Sequence, residues 1–328
     1  MINHQYIFSQ PHTIVPIVKE LSAPDKDYVT VRFIACGICG GDYSTYIGRR
    51  KNYPNSLGHE FVAEIIKKGE NVSNFSIGQK VISDFNYRCG KCQFCLSGRS
   101  HLCIKNNIQL FSNRAFAQYG NIHKNYLIGI PDVIDIARAC FMEPLSCVIH
   151  AIKCIPHTSS SNIFICGCGS IGTMAAFYLS KVLKYKNIYV YDINESRLKN
   201  VIECFGVQYF MPSRIFPDLI IECTNQEKGV AYALDIAIPG SAICIMSHLY
   251  GVETSFIYNQ ICQKELQSFF PLRNGKKENL LEAIDLIVNY WEQTYKELYC
   301  TYYDIYYIFE NKLSLPYNKQ IFDITNAF

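Results

Sequence analysis

Gly37-Ile38-Cys39-Gly40-Gly41-Asp42 and the nearby Gly58-His59-Glu60 bring a thiolate, an imidazole and a carboxylate into one short region. These are the donors zinc takes in a catalytic site, where three protein ligands leave one coordination position open for water or substrate. Glu143, in Met142-Glu143-Pro144-Leu145-Ser146, offers a second carboxylate, so Glu60 and Glu143 stand as alternatives for the third ligand. Cys36 precedes Cys39 at C-x-x-C spacing, which makes a Cys36/Cys39 redox pair a competing use of the same segment. The adjoining His59-Glu60 favours a metal.

A second set, Cys89, Cys92, Cys95 and Cys103, has the spacing C-x2-C-x2-C-x7-C with Gly90, Ser97 and Gly98 between. Four thiolates complete a tetrahedron and leave no place for substrate, so this set reads as a structural zinc. Disulfides and an iron–sulfur cluster are the alternatives.

A third motif, Gly167-Cys168-Gly169-Ser170-Ile171-Gly172, follows the apolar run Ile163–Cys166 and opens a helical pattern from Ser170 to Lys184. That context turns a weak G-x-G-x-x-G match into a dinucleotide loop. Gly167 allows the tight turn, Gly169 the approach of a pyrophosphate and Gly172 close helix–strand packing. The helix N-terminus supplies amide donors. Asp192, closing the next strand pattern, suits the ribose hydroxyls of NAD and repels the 2′-phosphate of NADP.

These groups need two kinds of scaffold. The region to about residue 147 carries short strand-like runs, Val29–Ile34, Phe61–Ile66 and Lys80–Ile82, separated by Gly and Asn. It predicts a small, mostly β domain. From about Asn162, strand and helix patterns alternate: 187–191, 195–205, 207–210, 218–222 and 242–246. That rhythm predicts an α/β doubly wound parallel sheet. A helix over Glu278 to Tyr295 follows, in a segment expected to return to the first domain. The expected division is 1–147 with a zinc lobe at about 86–104, then 148–272, then 273–328.

The 328 residues are 49% hydrophobic and 18% charged with net charge +3, as in an ordinary globular enzyme. The charge is too small to imply nucleic acid or a membrane surface as partner. No apolar run approaches the ~18 residues of a membrane span, and residues 1–20 lack a secretory pattern. Several of the sixteen cysteines, among them Cys166, Cys204, Cys223 and Cys244, lie in apolar runs as small buried hydrophobes. Reduced thiols beside metal-spaced ones point to the cytoplasm.

The chain resembles the zinc-containing medium-chain dehydrogenases, most closely the sorbitol/polyol branch. The resemblance rests on CGICGGD (36–42), LGHE (57–60), CGKCQFCLSGRSHLC (89–103), FAQY (116–119), MEPLSCVIHA (142–151), GCGSIG (167–172), YDINESRL (191–198), IECT (221–224) and IPG (238–240). It implies a GroES-like catalytic domain, a Rossmann domain, two zinc ions per subunit, NAD, and a homodimer or homotetramer. By the match, Cys39, His59, Glu60 and Glu143 surround the catalytic zinc, with Asp42 positioning them. Ser170, Ile171, Arg197 and Thr224 join the glycines and Asp192 at the cofactor. The implied reaction passes hydride between NAD(H) and a secondary alcohol of a polyol, sugar or sugar phosphate.

Three positions depart from the family. The relay hydroxyl usually found after the zinc cysteine is Gly41, and the histidine often found further on is Ser44. Ser44, Thr45, Tyr46 or a water is left to carry the proton. An arginine that polyol enzymes often carry aligns near Pro271, with Arg273 close but displaced. The absent relay also separates the chain from the threonine dehydrogenase branch. The basic run Arg49-Arg50-Lys51 suggests recognition of a substrate phosphate, against the plain reading of a solvated loop. Alternatives are a reductase making a polyol phosphate from a ketose phosphate, and a catalytically retired NAD-binding homologue.

Overall fold

The computed structural model describes residues 1–84, 88–105, 114–156, 162–250, 255–271, 273–292 and 295–328. Residues 86 and 87 of the expected zinc lobe and the expected boundary residue 272 lie outside them.

The N-terminal half is antiparallel. Strand Tyr28–Gly37 is central and pairs with Glu60–Lys68, with Tyr119–His123 and with Lys319–Asp323. Covered on both sides, it buries Val29, Val31, Phe33 and Cys36 almost completely. Lys80–Ser83 and Leu127–Gly129 extend the sheet from Glu60–Lys68, and Tyr299–Tyr302 extends it from Lys319–Asp323. The last segment of the chain therefore returns to the first sheet, as expected. It lands at Ala35–Gly37, immediately before the Cys39 segment.

The middle of the chain builds a six-stranded, wholly parallel sheet. Its order is Gln208–Tyr209, Ile188–Tyr191, Ile163–Cys166, Leu219–Glu222, Ala242–Ile245, Gln267–Phe269. In chain order this is 3-2-1-4-5-6, the doubly wound dinucleotide arrangement. The order reverses between Ile163–Cys166 and Leu219–Glu222, which leaves a crevice outside their carboxyl ends. The glycine loop leaves the first of these strands. Helix Glu195–Phe205 matches its sequence pattern because both ends are marked. Asn194 accepts from the Arg197 N–H at the start, and Gly206 takes φ +69° at the end.

Helix Met142–Cys154 joins the two halves, packed against Lys277–Asn289 and Ser170–Phe177. The pattern over 278–295 predicts one long helix, and the structure corrects this. The helix stops at Asn289, and a separate 3-10 turn covers Tyr295–Leu298. The break lets Trp291 enter an aromatic cluster, with ring centroids 5.0 Å from Phe141, 5.1 Å from Phe177 and 5.2 Å from Tyr295. Packing of one large ring overrides the helical period. Trp291 is 4% exposed. Trp291→Ala should lower unfolding stability by about 3–5 kcal/mol in chemical denaturation.

Candidate active site and metal centres

Cys39 is the N-cap of helix Gly40–Tyr46. Its sulfur accepts from the Gly41 N–H at 3.4 Å, and Asp42 Oδ2 accepts from the Cys39 N–H at 3.1 Å. This reciprocal cap fixes the sulfur and satisfies two otherwise free donors. Gly58, at φ +92°, turns the chain into strand Glu60–Lys68 and delivers His59 and Glu60 to the same place. Donor atoms of Cys39, His59 and Glu60 lie within 4.8 Å of one another. A soft sulfur, an imidazole nitrogen and a carboxylate oxygen at that separation fit a single zinc ion.

The electrostatics agree. Burial works against a charged His59, but the Cys39 sulfur, with Asp42 and Glu143, outweighs it and raises the imidazole pKa to about 10. The cleft gathers anionic groups around a point that calls for a cation. Glu143 starts helix Met142–Cys154 and accepts from the Cys147 thiol at 3.5 Å. It stands outside the 4.8 Å group but close enough that burial and then Glu60 push its carboxyl up, against His59. Cys36 is buried in the sheet core, and neither it nor Cys39 is in a disulfide.

Lys319 is a site residue that sequence reasoning missed. Its Nζ bonds the Glu60 carboxylate, lies 3.1 Å from Ser170 Oγ and sits 5.7 Å from the Phe141 ring centre. Burial alone would lower its pKa, but Glu60 more than compensates and holds it raised. Gly37 makes the room: a Cβ there would stand 2.4 Å from Lys319 Cε and 2.7 Å from Glu60 Oε2. A lysine within Lys319-Gln320-Ile321-Phe322 resembles an ordinary solvated strand position, so no local signal revealed it.

Of the side chains expected to substitute for the missing relay, Thr45 and Tyr46 are engaged elsewhere, whereas Ser44 accepts one bond and keeps its own proton to donate. Ser44 Oγ accepts from Asn225 Nδ2 at 2.8 Å, and Thr45 Oγ1 donates to the Gly41 carbonyl at 3.2 Å. Tyr46 lies in a core of rings with Phe8 and Phe309. A Cβ at Gly41 would meet only the Cys39 sulfur, at 3.8 Å.

The four cysteines of the second set converge, all sulfurs lying within 4.8 Å of one another. Cys92 and Cys103 are 3.8 Å apart, and Cys89 and Cys95 are 4.0 Å apart. Those separations are too long for disulfides. They approximate the ~3.8 Å edge of a tetrahedron with ~2.3 Å zinc–sulfur bonds. The Cys95 N–H leads the interactions that hold the Cys92 thiol down, to about 6.

In the glycine loop two of the three glycines are sterically required. Gly167 has φ +99°, and a Cβ on Gly172 would lie 1.8 Å from the Gly167 carbonyl oxygen. Around Gly169 a Cβ would meet nothing within 4 Å, so the backbone there is open to a ligand. Asp192 accepts from the Cys168 N–H at 2.6 Å and the Asn194 N–H at 2.7 Å, which fixes its carboxylate at the loop. Ile171 is half-buried in the first helical turn. The Thr224 N–H and hydroxyl both reach Glu222 Oε1. Arg197 is turned to the C-terminal segment, where it donates to the carbonyls of Lys312, Leu315 and Tyr317. Within the basic run, Arg49 bonds the Asn225 carbonyl and Gln226, Lys51 is exposed, and Arg50 lies 5.6 Å over the Tyr250 ring.

Comparison with known proteins agrees with this architecture. Residues 25–132 match the alcohol dehydrogenase GroES-like domain. The chain is 34% identical over 247 residues to sorbitol dehydrogenase of Bacillus subtilis strain 168, covering 72% of this chain and 68% of that protein. An Escherichia coli CFT073 alcohol dehydrogenase solved with NADH superposes with TM-score 0.82 at 23% identity, covering 98% of this chain and 99% of that one. Galactitol-1-phosphate dehydrogenase from Escherichia coli gives TM-score 0.79 at 21% identity, covering 98% and 99%.

The buried Lys319–Glu60 pair yields a stability test. In the metal-free protein, removing one partner leaves an uncompensated charge, so Lys319→Met should cost about 3–5 kcal/mol in denaturant unfolding with a chelator present. Adding Glu60→Gln should restore a large part of that loss.

Proposed function

Since the chain belongs to the zinc-containing medium-chain dehydrogenases, an oxidoreductase family, we propose that it transfers a hydride between NAD(H) and a secondary alcohol or ketone of a polyol, sugar or sugar phosphate. One observation carries this reading: the Cys39, His59 and Glu60 donors converge on one point, and Lys319 ties that group to Ser170 at the dinucleotide loop.

In this reading Cys39, His59 and a glutamate hold the catalytic zinc, and Cys89, Cys92, Cys95 and Cys103 hold the structural one. Zinc bound by the first set supplies Lewis-acid polarisation of the substrate oxygen. Asp42 orients the donors through its bond to the Cys39 backbone and its carboxylate 3.9 Å from His59 Nδ1. Glu60 is the favoured third ligand, because Lys319 engages one of its oxygens and leaves the other free. Gly169 and the amides at the start of helix Ser170–Phe177 take the pyrophosphate. Asp192 takes the adenosine ribose, which favours NAD over NADP. A homodimer or homotetramer in the cytoplasm is part of the same proposal. No helix among the described residues is long and apolar enough to cross a membrane.

A phosphorylated substrate is favoured by the setting of Arg50. Tyr250, beneath its guanidinium, stacks on His248 with centroids 6.0 Å apart. Burial and then the Arg50 charge push the pKa values of His248 and Arg273 down. Two arginines, Arg50 and Arg273, close enough to act on each other, beside a His248 kept neutral, suit an anionic ligand. Galactitol 1-phosphate and ribitol 5-phosphate should therefore be turned over with higher kcat/KM than galactitol and ribitol. Equal values would exclude a phosphate site.

Two further outcomes separate an enzyme from a retired homologue. The purified protein should contain two zinc ions per chain by elemental analysis, falling to one in Cys39→Ser; one in the unmutated chain would indicate a retired centre. Gly41→Ser should fit without strain and return a hydroxyl beside the Cys39 sulfur. Because a general acid–base step is worth ~10²–10⁴-fold, it should raise kcat by about tenfold or more in steady-state assays.

A further inference from the structure

Asn225 follows strand Leu219–Glu222 at the carboxyl edge of the parallel sheet. Its φ is +54°, in the left-handed region that asparagine tolerates better than most side chains. Such a conformation persists where the surroundings over-determine it, and here they do. Nδ2 donates to the Gly40 carbonyl at 3.2 Å and to Ser44 Oγ at 2.8 Å. Oδ1 accepts from the His248 N–H at 3.2 Å, and the Asn225 N–H donates to Ser247 Oγ at 2.6 Å. The Asn225 carbonyl accepts from Arg49 Nη1 at 3.1 Å, while Arg49 Nη2 donates to Gln226 Oε1 at 2.9 Å.

The chemistry fixes the direction of the amide. The Gly40 carbonyl can only accept and the His248 N–H can only donate, so the group cannot be flipped. An aspartate would set a carboxylate oxygen against a carbonyl. Gly40 and Ser44 belong to the helix capped by Cys39, whereas Ser247 and His248 follow strand Ala242–Ile245. One side chain thus ties the helix beside the metal donors to the strand ends that border the dinucleotide crevice.

We infer that Asn225 is a positioning residue whose side chain, with Arg49 as a second arm, holds the Cys39 helix closed over the crevice and sets how fast the cofactor leaves. Opening the crevice along this edge breaks the Nδ2 bonds and both Arg49 bonds together. The role in cofactor release rests on the dinucleotide reading of that crevice; the latch itself does not.

Asn225→Gly tests it, because glycine keeps a positive φ without strain and removes only the side-chain bonds. Two readouts are needed. Amide hydrogen exchange over residues 40–46, without ligand, should accelerate. NADH dissociation, followed by fluorescence during displacement, should speed up by about tenfold, the loss of one or two net hydrogen bonds. Arg49→Gln should shift both in the same direction, and Asn225→Asp at least as far as Asn225→Gly. Should the glycine variant fail to fold, Arg49→Gln carries the test alone. Exchange and dissociation within twofold of the unmutated protein would overturn the inference. If the unmutated protein takes up neither NADH nor NADPH, the dinucleotide reading fails and the exchange measurement alone decides the latch.

Discussion

The structure depends on a charge pair formed between residues 259 positions apart in the chain. Lys319, on the last strand, reaches Glu60 at the head of the strand paired with Tyr28–Gly37, and in the same reach meets Ser170 at the glycine loop. A lysine and a glutamate that are each almost fully buried persist only when each compensates the other. The carboxylate needs the ammonium because Cys39, Asp42 and Glu143 already crowd the cleft with acidic groups. The ammonium needs the carboxylate because Phe141 and the sheet exclude water from it. Gly37 is glycine because a Cβ there would displace both partners.

From that pair the two halves of the molecule acquire a fixed relation. Strand Lys319–Asp323 registers antiparallel on Ala35–Gly37, so the segment carrying Cys39 leaves the sheet beside the start of the C-terminal strand. Arg197 holds the loop leading into that strand by its carbonyls, and Asn318 Nδ2 donates to the Cys168 carbonyl at 2.6 Å and the Arg197 carbonyl at 2.9 Å. The C-terminal segment therefore pins the glycine loop and the metal donors from one side. Asn225 and Arg49 do so from the other. Alignment on the scale of ~1 Å matters for hydride transfer, and it is here distributed over contacts between residues far apart in sequence.

That distribution explains what the sequence could and could not reveal. The convergence of Cys39, His59 and Glu60, and that of the four cysteines, was legible because donor residues at such short spacings answer few demands other than a metal. The glycine loop was legible because two of its glycines answer steric limits, a positive φ at Gly167 and a contact no Cβ could survive at Gly172. Helix Glu195–Phe205 was legible through its apolar period, and the structure adds the caps Asn194 and Gly206. Lys319, Asn225 and the interior break before Trp291 were not. Each is determined by partners distant in the chain, and each looks locally like something commoner: a surface lysine, a turn asparagine, a continuing helix. Arg197 shows the converse, since its motif suggested the cofactor and the fold gives its guanidinium to carbonyls of the C-terminal loop.

Gly41 differs in kind from the other glycines around the centre. Gly172 is compelled by the Gly167 backbone and Gly37 is crowded by the Lys319 and Glu60 side chains, whereas at Gly41 a Cβ meets only the Cys39 sulfur at an ordinary contact distance. Packing therefore does not explain the missing hydroxyl. The nearest hydroxyl, Ser44, accepts from Asn225 Nδ2 and so serves the edge that joins the two halves. The Ser44 hydroxyl thus gives an acceptor site to the bond that holds the Cys39 helix to the turn at Asn225, while the space a side chain on residue 41 would enter stays empty of protein except for the Cys39 sulfur.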